Sequence, residues 1–377
     1  MIVVVNALAL GFEHVPFDAA FLASLAQAYP GEPIHFYGDR DHSEQVQRFL
    51  QPRFGGGEIV WRVLALPPRL AAPRARMTRD AGNLRTVLAE AQRASASRVV
   101  VCYLHAVTGI LALKALRLAY RRGALALVHH ASLLRLLSSR RYHPLLTLGN
   151  GRLGQIVLGD AIRREAIAML PRLAGSLHAI RHPYFFDEAA PSDLPAAGPI
   201  GFSFLGLVDE TKGFDKFVAL AETISRSSDG AARFDLIGGK RAGELPGSPG
   251  GLVKTYVQSG PMPRPLFEQR LRETAYTVFP YDPSFYRLAA SGSMLDALGA
   301  GKPIIALRNP QFEETFAAMG DIGYLCDDVD QMKSVVASIL GDPPRERYRR
   351  QSTNVLAKRD LFGTAAVAAE LRAALDA

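Results

Sequence analysis

Cysteine is nearly missing from this chain: Cys102 and Cys326 are the only two in 377 residues. Both stand in strand-like runs, so neither a disulfide framework nor a zinc cluster is expected, and a reducing compartment is. Long apolar runs are missing too. The nearest, VVVCYLHAVTGILAL, falls short of the roughly 18 uncharged apolar residues of a membrane span, and His105 and Gly109 divide it into a strand and a helix start. The opening MIVVVNALAL lacks a positive leader region and a small-residue cleavage site, and reads as an interior strand, so export is not expected. Charged residues make up only 21% against 48% hydrophobic, which excludes disorder and allows two sizeable cores. No internal repeat stands out.

Acidic residues are scarce in one half only. Residues 1–186 hold 23 Lys and Arg against 11 Asp and Glu, a balance of +12, whereas residues 187–377 hold 21 against 25, a balance of −4. A basic half of this kind attracts a polyanion or an anionic membrane surface. Nucleic acid is not expected, because the arginines are scattered rather than interleaved with aromatics and no zinc-finger or RNA-recognition signature is present. In ASLLRLLSSRRYHPLL, residues 131–146, Leu133 and Leu136 stand among Arg135, Arg140 and Arg141. That pattern suits an interfacial helix with the three arginines as membrane contacts, or equally a core helix with snorkelling arginines.

Short β-branched runs alternate with helical patterns along the whole chain, the mark of βαβ units and parallel sheets. IVVVNAL, PIHFYG, RVVVCYL, ALALVHH and GQIVLG form a first series; IGFSFLG, RFDLIGG, GLVKTYVQSG, YTVFPY, KPIIAL and IGYLC form a second. Between them DEAAPSDLPAAGP, residues 187–199, has no periodicity and reads as a linker. The predicted domains are therefore 1–186, then 200–359, with a closing C-terminal helix over 360–377. Both domains are expected to be doubly wound α/β.

The segment SGSMLDALGAGKPIIAL, residues 291–307, frames a short apolar helix with small residues. Ser291 or Ser293 can cap that helix, Gly292 admits a ligand close to the backbone, and the first-turn amides with the helix dipole favour an anion such as phosphate. It is not a P-loop: Asp296 and Pro303 occupy places where that motif needs Gly and Ser or Thr. The Asp-x-Asp pairs at 39–41 and 328–330 read as solvated turns, and no metal is expected.

Several blocks in order resemble the GT-B class of glycosyltransferases, and from Ile200 to Asp328 family four of these enzymes. FLGLVDETKGFDKFVALAE resembles the family's strand, Gly, Lys-Gly and helix block. FPYDPSFYRLAASGSMLDALGAGKPIIAL and NPQFEETFAAMGDIGYLCDD resemble the blocks that follow. The resemblance implies two Rossmann-like domains facing across a cleft, and a metal-independent hexosyltransferase without cofactor that takes a nucleotide diphosphate sugar. It implies Lys212 at the donor diphosphate, Ser291, Gly292 and Ser293 at the phosphates, and Asp296 on ribose hydroxyls. Two places depart from the pattern: Leu288 stands for an acid, and Leu207 for an arginine that Arg287 would replace.

VVVCYLHAVTGILALKAL is similar to the class's strand, His and helix block, which puts His105 in the cleft near the donor sugar and acceptor, and ALVHHASL has the form of the next strand ending in His, matching His129 or His130, with His130 expected on the acceptor side. The loop GFEHVPFD would hold Gly11 and His14 toward the acceptor, and if the reaction inverts, Glu13, His14 or Asp18 would be a general base, with Glu13 taken as the catalytic residue. The function implied is transfer to a saccharide or lipid-linked acceptor in bacterial surface polysaccharide or glycolipid synthesis, by a cytoplasmic protein peripheral to the inner membrane face. A GT-B-like nucleotide-sugar epimerase and a catalytically degenerate binding subunit are the alternatives.

Overall fold

A computed structural model describes residues 1–66, 72–148, 153–244, 251–257 and 259–377. The chain forms two units, one of residues 1–185, 288–290 and 361–377, the other of residues 186–287 and 291–360.

The first unit is built on seven parallel strands: β1 (Ile2–Asn6), β2 (Ile34–Gly38), β3 (Ile59–Val63), β4 (Arg98–Tyr103), β5 (Ala124–His129), β6 (Gly154–Val157) and β7 (Leu177–Ala179), in the order β3-β2-β1-β4-β5-β6-β7. Helices α1 (Val15–Ala28), α2 (Arg40–Leu50), α3 (Pro73–Arg93), α4 (Thr108–Leu116), α5 (Ser132–Leu137), α6 (His143–Thr147) and α7 (Asp160–Met169) connect them. The valine runs are uninterrupted because both faces of this sheet are covered. Val3, Val5, Val99 and Val101 enter one core, and Ile2, Val4, Val100 and Cys102 the other. With the strand order reversing at β1 and β4, the carboxyl ends of these two strands form the crevice where open α/β sheets take ligands.

The second unit has strands β8 (Ile200–Leu207), β9 (Ala232–Glu244), β10 (Val253–Thr255), β11 (Ser259–Gly260), β12 (Tyr276–Phe279), β13 (Ile304–Leu307) and β14 (Gly323–Cys326). Six are parallel in the order β10-β9-β8-β12-β13-β14, and β11 runs antiparallel on β9. The run 251–260 thus gives two short strands, with Gln258 outside the described residues. Helices α8 (Phe214–Ser225), α9 (Arg264–Arg272), α10 (Gly292–Gly299), α11 (Pro310–Met319), α12 (Val329–Gly341) and α13 (Arg345–Lys358) pack on it. Phe202, Phe204, Phe217, Phe234 and Tyr276 fill its core.

Two expectations about connections change in detail. Segment 187–199 has no regular structure, yet it lies fixed on the second unit: Leu194 is buried in that core, and the Ser192 backbone N–H donates to Ser352 Oγ over 3.0 Å. The last helix, α14 (Thr364–Asp376), belongs to the first unit, where Val367, Leu371 and Leu375 join the core that includes Phe21 and Leu25 of α1. Arg98 stacks 3.8 Å over the Tyr29 ring and binds Asp376 at 2.5 Å, fixing the helix end.

Candidate functional site

In the second unit the site residues gather at the carboxyl ends of β8 and β12, where the strand order again reverses. Ser291 is the N-cap of α10, its Oγ accepting the Met294 N–H at 3.2 Å while Tyr281 Oη lies 3.0 Å away. That capping leaves the first amides of α10 pointing out of the helix end. Lys212, in the turn after β8, donates from Nζ to Ser293 Oγ at 3.2 Å, so an ammonium and a helix N-terminus converge. Both contribute positive potential.

The backbone around Lys212 needs two glycines. Gly206 has φ +91°, and a Cβ there would lie 2.6 Å from Ser293 Oγ and 2.7 Å from Lys212 Nζ. Gly213, the N-cap of α8, has φ +67°, and its Cβ would collide with the Pro280 carbonyl oxygen. Each lacks a side chain because another group already occupies its place.

One turn into α10, Asp296 Oδ1 holds Arg264 Nη1 at 2.6 Å, and Arg264 Nε binds Glu268 at 2.7 Å. The acid expected on ribose hydroxyls therefore already carries a guanidinium from α9, a partner that sequence reading missed because 32 residues separate the two. Tyr281 was missed as well; stacked at 4.0 Å on Tyr286, it anchors the Ser291 cap. Burial pushes the Tyr281 phenol up, so it stays a neutral hydrogen-bonding group. Arg287 is exposed, and Leu207 half-buried. Leu288 is 3% exposed within the first unit's core, where a lone carboxylate would be desolvated; an acid does not suit that position.

In the first unit, His105 follows β4 and His130 follows β5. Both line a cavity of about 180 Å³ with Leu8, Tyr103, Ile110 and Ser132. His14, in the left-handed conformation at φ 56°, brings its ring to 4.9 Å from that of His130. Burial, then the neighbouring His14 and His182, push the His130 pKa well below its ordinary value, so the ring is neutral. His129 is buried in structural bonds to Ser132 Oγ at 2.7 Å and Gln155 Oε1 at 3.1 Å. Glu13 turns back on its own loop, its Oε2 accepting the Leu10 N–H at 3.3 Å.

Asp18 is no general base. It is 1% exposed, and its Oδ2 accepts from Asn6 Nδ2 at 2.6 Å and from His42 Nε2 at 2.8 Å. His42 Nδ1 lies 2.9 Å from the Gly11 carbonyl, which only accepts, so both ring nitrogens donate and His42 is an imidazolium. Asn6 Oδ1 takes the Ala9 N–H at 2.9 Å. This buried network holds the loop after β1 that carries Gly11, Glu13 and His14.

Of the two readings of α5, the core helix is the one observed and apolar insertion by this helix is not: Leu133 and Leu136 are 1% and 0% exposed, because that face of the helix completes the core. Arg135, Arg140 and Arg141 are exposed, with Arg135 and Arg141 lying over the Tyr142 ring. Among the described residues no helix is long and apolar enough to cross a membrane. The two Asp-x-Asp pairs belong to helix starts: Asp39 caps α2 and Asp328 caps α12.

No protein-family model matches the chain, and no curated protein does. Solved structures do. HepE of Anabaena in complex with UDP-glucose aligns over 100% of this chain and 99% of its own, with a TM-score of 0.66 at 13% identity. WaaG, a glycosyltransferase involved in lipopolysaccharide biosynthesis, aligns over 100% and 99% with a TM-score of 0.65 at 10% identity. A TarM mutant of S. aureus, in complex with fondaparinux, alpha-GlcNAc-glycerol and UDP, aligns over 80% of this chain with a TM-score of 0.57 at 13% identity; this chain spans only 59% of TarM's length. These likenesses establish the fold: the chain has the architecture of the GT-B glycosyltransferases.

Proposed function

We propose that this protein is a glycosyltransferase that moves a sugar from a nucleoside diphosphate sugar, held by the second unit, to a saccharide or lipid-linked acceptor at the first. The observation that carries this is the meeting of Lys212 with the α10 N-terminus over Gly206, where a Cβ would displace both Ser293 and Lys212. In the reaction the bond from the anomeric carbon to the diphosphate oxygen breaks, leaving its electron pair on the diphosphate. The acceptor hydroxyl oxygen forms the new bond to that carbon, and its proton passes to the departing diphosphate, directly or through solvent. Lys212 and the α10 amides stabilise the departing charge, the task a metal ion performs in other transferases. HepE with bound UDP-glucose, and WaaG as a transferase of lipopolysaccharide synthesis, support both the donor class and an envelope-directed acceptor.

The experiment is release of nucleoside diphosphate from UDP-, GDP- and dTDP-sugars by purified protein in EDTA, with and without membrane extract. Turnover of one donor, stimulated by extract, is expected. No release from any donor would leave the degenerate binding subunit as the better reading, and conversion of one nucleotide sugar to its epimer would favour the epimerase.

Attachment to an anionic membrane belongs to the same proposal. From Ala91 to Gly159 the sequence contains ten Lys and Arg and no acid. On α4 and the turn after it, Leu111 and Leu118 are 47% and 51% exposed, seven residues apart and so on one face. Leu148, 66% exposed, is tied to the same helix by Lys114 Nζ bonding its carbonyl at 2.6 Å. With Arg121 and Arg122 exposed beside them, these residues supply the apolar contact that α5 does not. Wild-type protein is expected to bind anionic liposomes at low salt. Arg121→Gln with Arg122→Gln should weaken binding by about 1 kcal/mol for each charge, and Leu111→Ser with Leu118→Ser should abolish what survives in salt. Equal binding by both double variants would contradict this attachment.

A further inference from the structure

The first unit contains a buried carboxylate with no part in the reaction described above. Asp80, on α3, is 2% exposed. Thr108, the first residue of α4, donates from Oγ1 to Asp80 Oδ2 over 3.3 Å, and the same oxygen lies 3.1 Å from His105 Nδ1. Arg76, one turn before Asp80, brings Nη1 to 2.6 Å from His105 Nε2. The helices are close here: a Cβ on Gly109 would meet Leu104 Cβ at 3.2 Å and Asp80 Oδ2 at 3.6 Å.

Chemistry assigns the protons along this chain. A guanidinium only donates, so His105 Nε2 accepts and the ring proton sits on Nδ1. From there it is directed to Thr108 Oγ1, whose own proton goes to Asp80, a group that only accepts when ionised. Burial, followed by the Arg76 charge, lowers the His105 pKa, in keeping with a neutral ring. Burial pushes Asp80 up to about 6, against the opposing pull of the Thr108 hydroxyl and the Arg76 charge, both of which favour the ionised, accepting form.

We propose that Asp80 and Thr108 are positioning residues that keep the His105 proton on Nδ1, so that Nε2 meets the ligand as a hydrogen-bond acceptor. The ring then selects a group that donates, a sugar hydroxyl, over one that only accepts, such as a phosphate or carbonyl oxygen. In the ligand-free protein Arg76 enforces the same tautomer from the other side. Once a hydroxyl takes the place of Arg76 at Nε2, the Thr108 and Asp80 side alone maintains it. This inference rests on the reading that His105 touches a sugar.

The test separates the two. Imidazole nitrogen NMR of protein labelled at histidine reads the tautomer directly, and Arg76→Gln removes the guanidinium's influence. In that background His105 should keep its proton on Nδ1; adding Thr108→Val or Asp80→Leu should move it toward Nε2, and Thr108→Ser should restore it. With Arg76 intact, Thr108→Val should lower sugar transfer on the order of tenfold while nucleoside diphosphate affinity stays at the wild-type value. A proton on Nε2 in Arg76→Gln, or a tautomer indifferent to Thr108→Val in that background, would overturn the positioning role whatever the activity. Unchanged transfer in His105→Ala would instead remove the sugar contact and leave the tautomer result standing.

Discussion

Lys212→Ala is expected to lower the rate of sugar transfer by about a hundredfold to a thousandfold, the usual loss when one preorganised donor facing a developing anion is removed. The loss should be large because the ammonium is not a flexible surface charge. It is held at 3.2 Å from Ser293 Oγ, at the point where the α10 amides also face outward, and Gly206 leaves the space in which it lies. The charge is needed most as the diphosphate leaves, so kcat should fall further than donor affinity does. Lys212→Arg should retain part of the activity, since charge persists while geometry changes. Transfer by Lys212→Ala at the wild-type rate would mean that charge at this position has no part in the reaction.

Asp18→Ala should cost about 3 to 5 kcal/mol of stability, because it leaves His42 and Asn6 without their shared partner in a fully buried place. It should also reverse the pH dependence. In the wild type, burial lowers the His42 pKa, but the bond and charge of Asp18, the Gly11 carbonyl and the charge of Asp39 together raise it above its ordinary 6.5. A group with a raised folded pKa contributes stability in full below its unfolded value and loses it as pH rises through the folded one. Without Asp18 the burial that remains favours the neutral ring, so the unfolded chain binds the extra proton and stability should increase with pH. Urea unfolding at about pH 5.5 and about pH 8 reads both signs. A variant with the wild-type pH slope would show that His42 is not charged in the folded protein. Because this network carries the loop of Gly11, Glu13 and His14, the variant should lose transfer along with stability.

Where a strand is buried on both faces, its sequence announces it. The runs that became β1, β2, β4, β5 and β6, and those that became β8, β12 and β13, are rich in Val, Ile, Leu and Phe for that reason, whereas β10 lies at a sheet edge with Lys254 and Thr255 exposed and β11 is only two residues long. β3 carries the exposed Arg62 and Val63 and lies at a sheet edge, and β7 is three residues long, so neither leaves a comparable run. The start of α10 was legible locally, because Ser291, Gly292 and Ser293 mark a capped helix N-terminus, whereas Lys212 was reached only through the family resemblance. The Arg264–Asp296 pair and the networks around His42 and His105 join side chains 24 to 32 residues apart, and only the fold brings them together. The same holds for α5: its Leu and Arg pattern fits an interfacial helix and a core helix alike, and packing decides between them.

The most direct measurement is calorimetric titration of the purified protein with UDP, GDP and dTDP in EDTA. One nucleoside diphosphate should bind to the wild type, and its binding should be strongly weakened in Lys212→Ala and in Gly206→Val, whose side chain would enter the space of Lys212 Nζ and Ser293 Oγ. If no nucleoside diphosphate binds, or if one binds both variants as tightly as the wild type, the donor site does not lie between Lys212 and the start of α10.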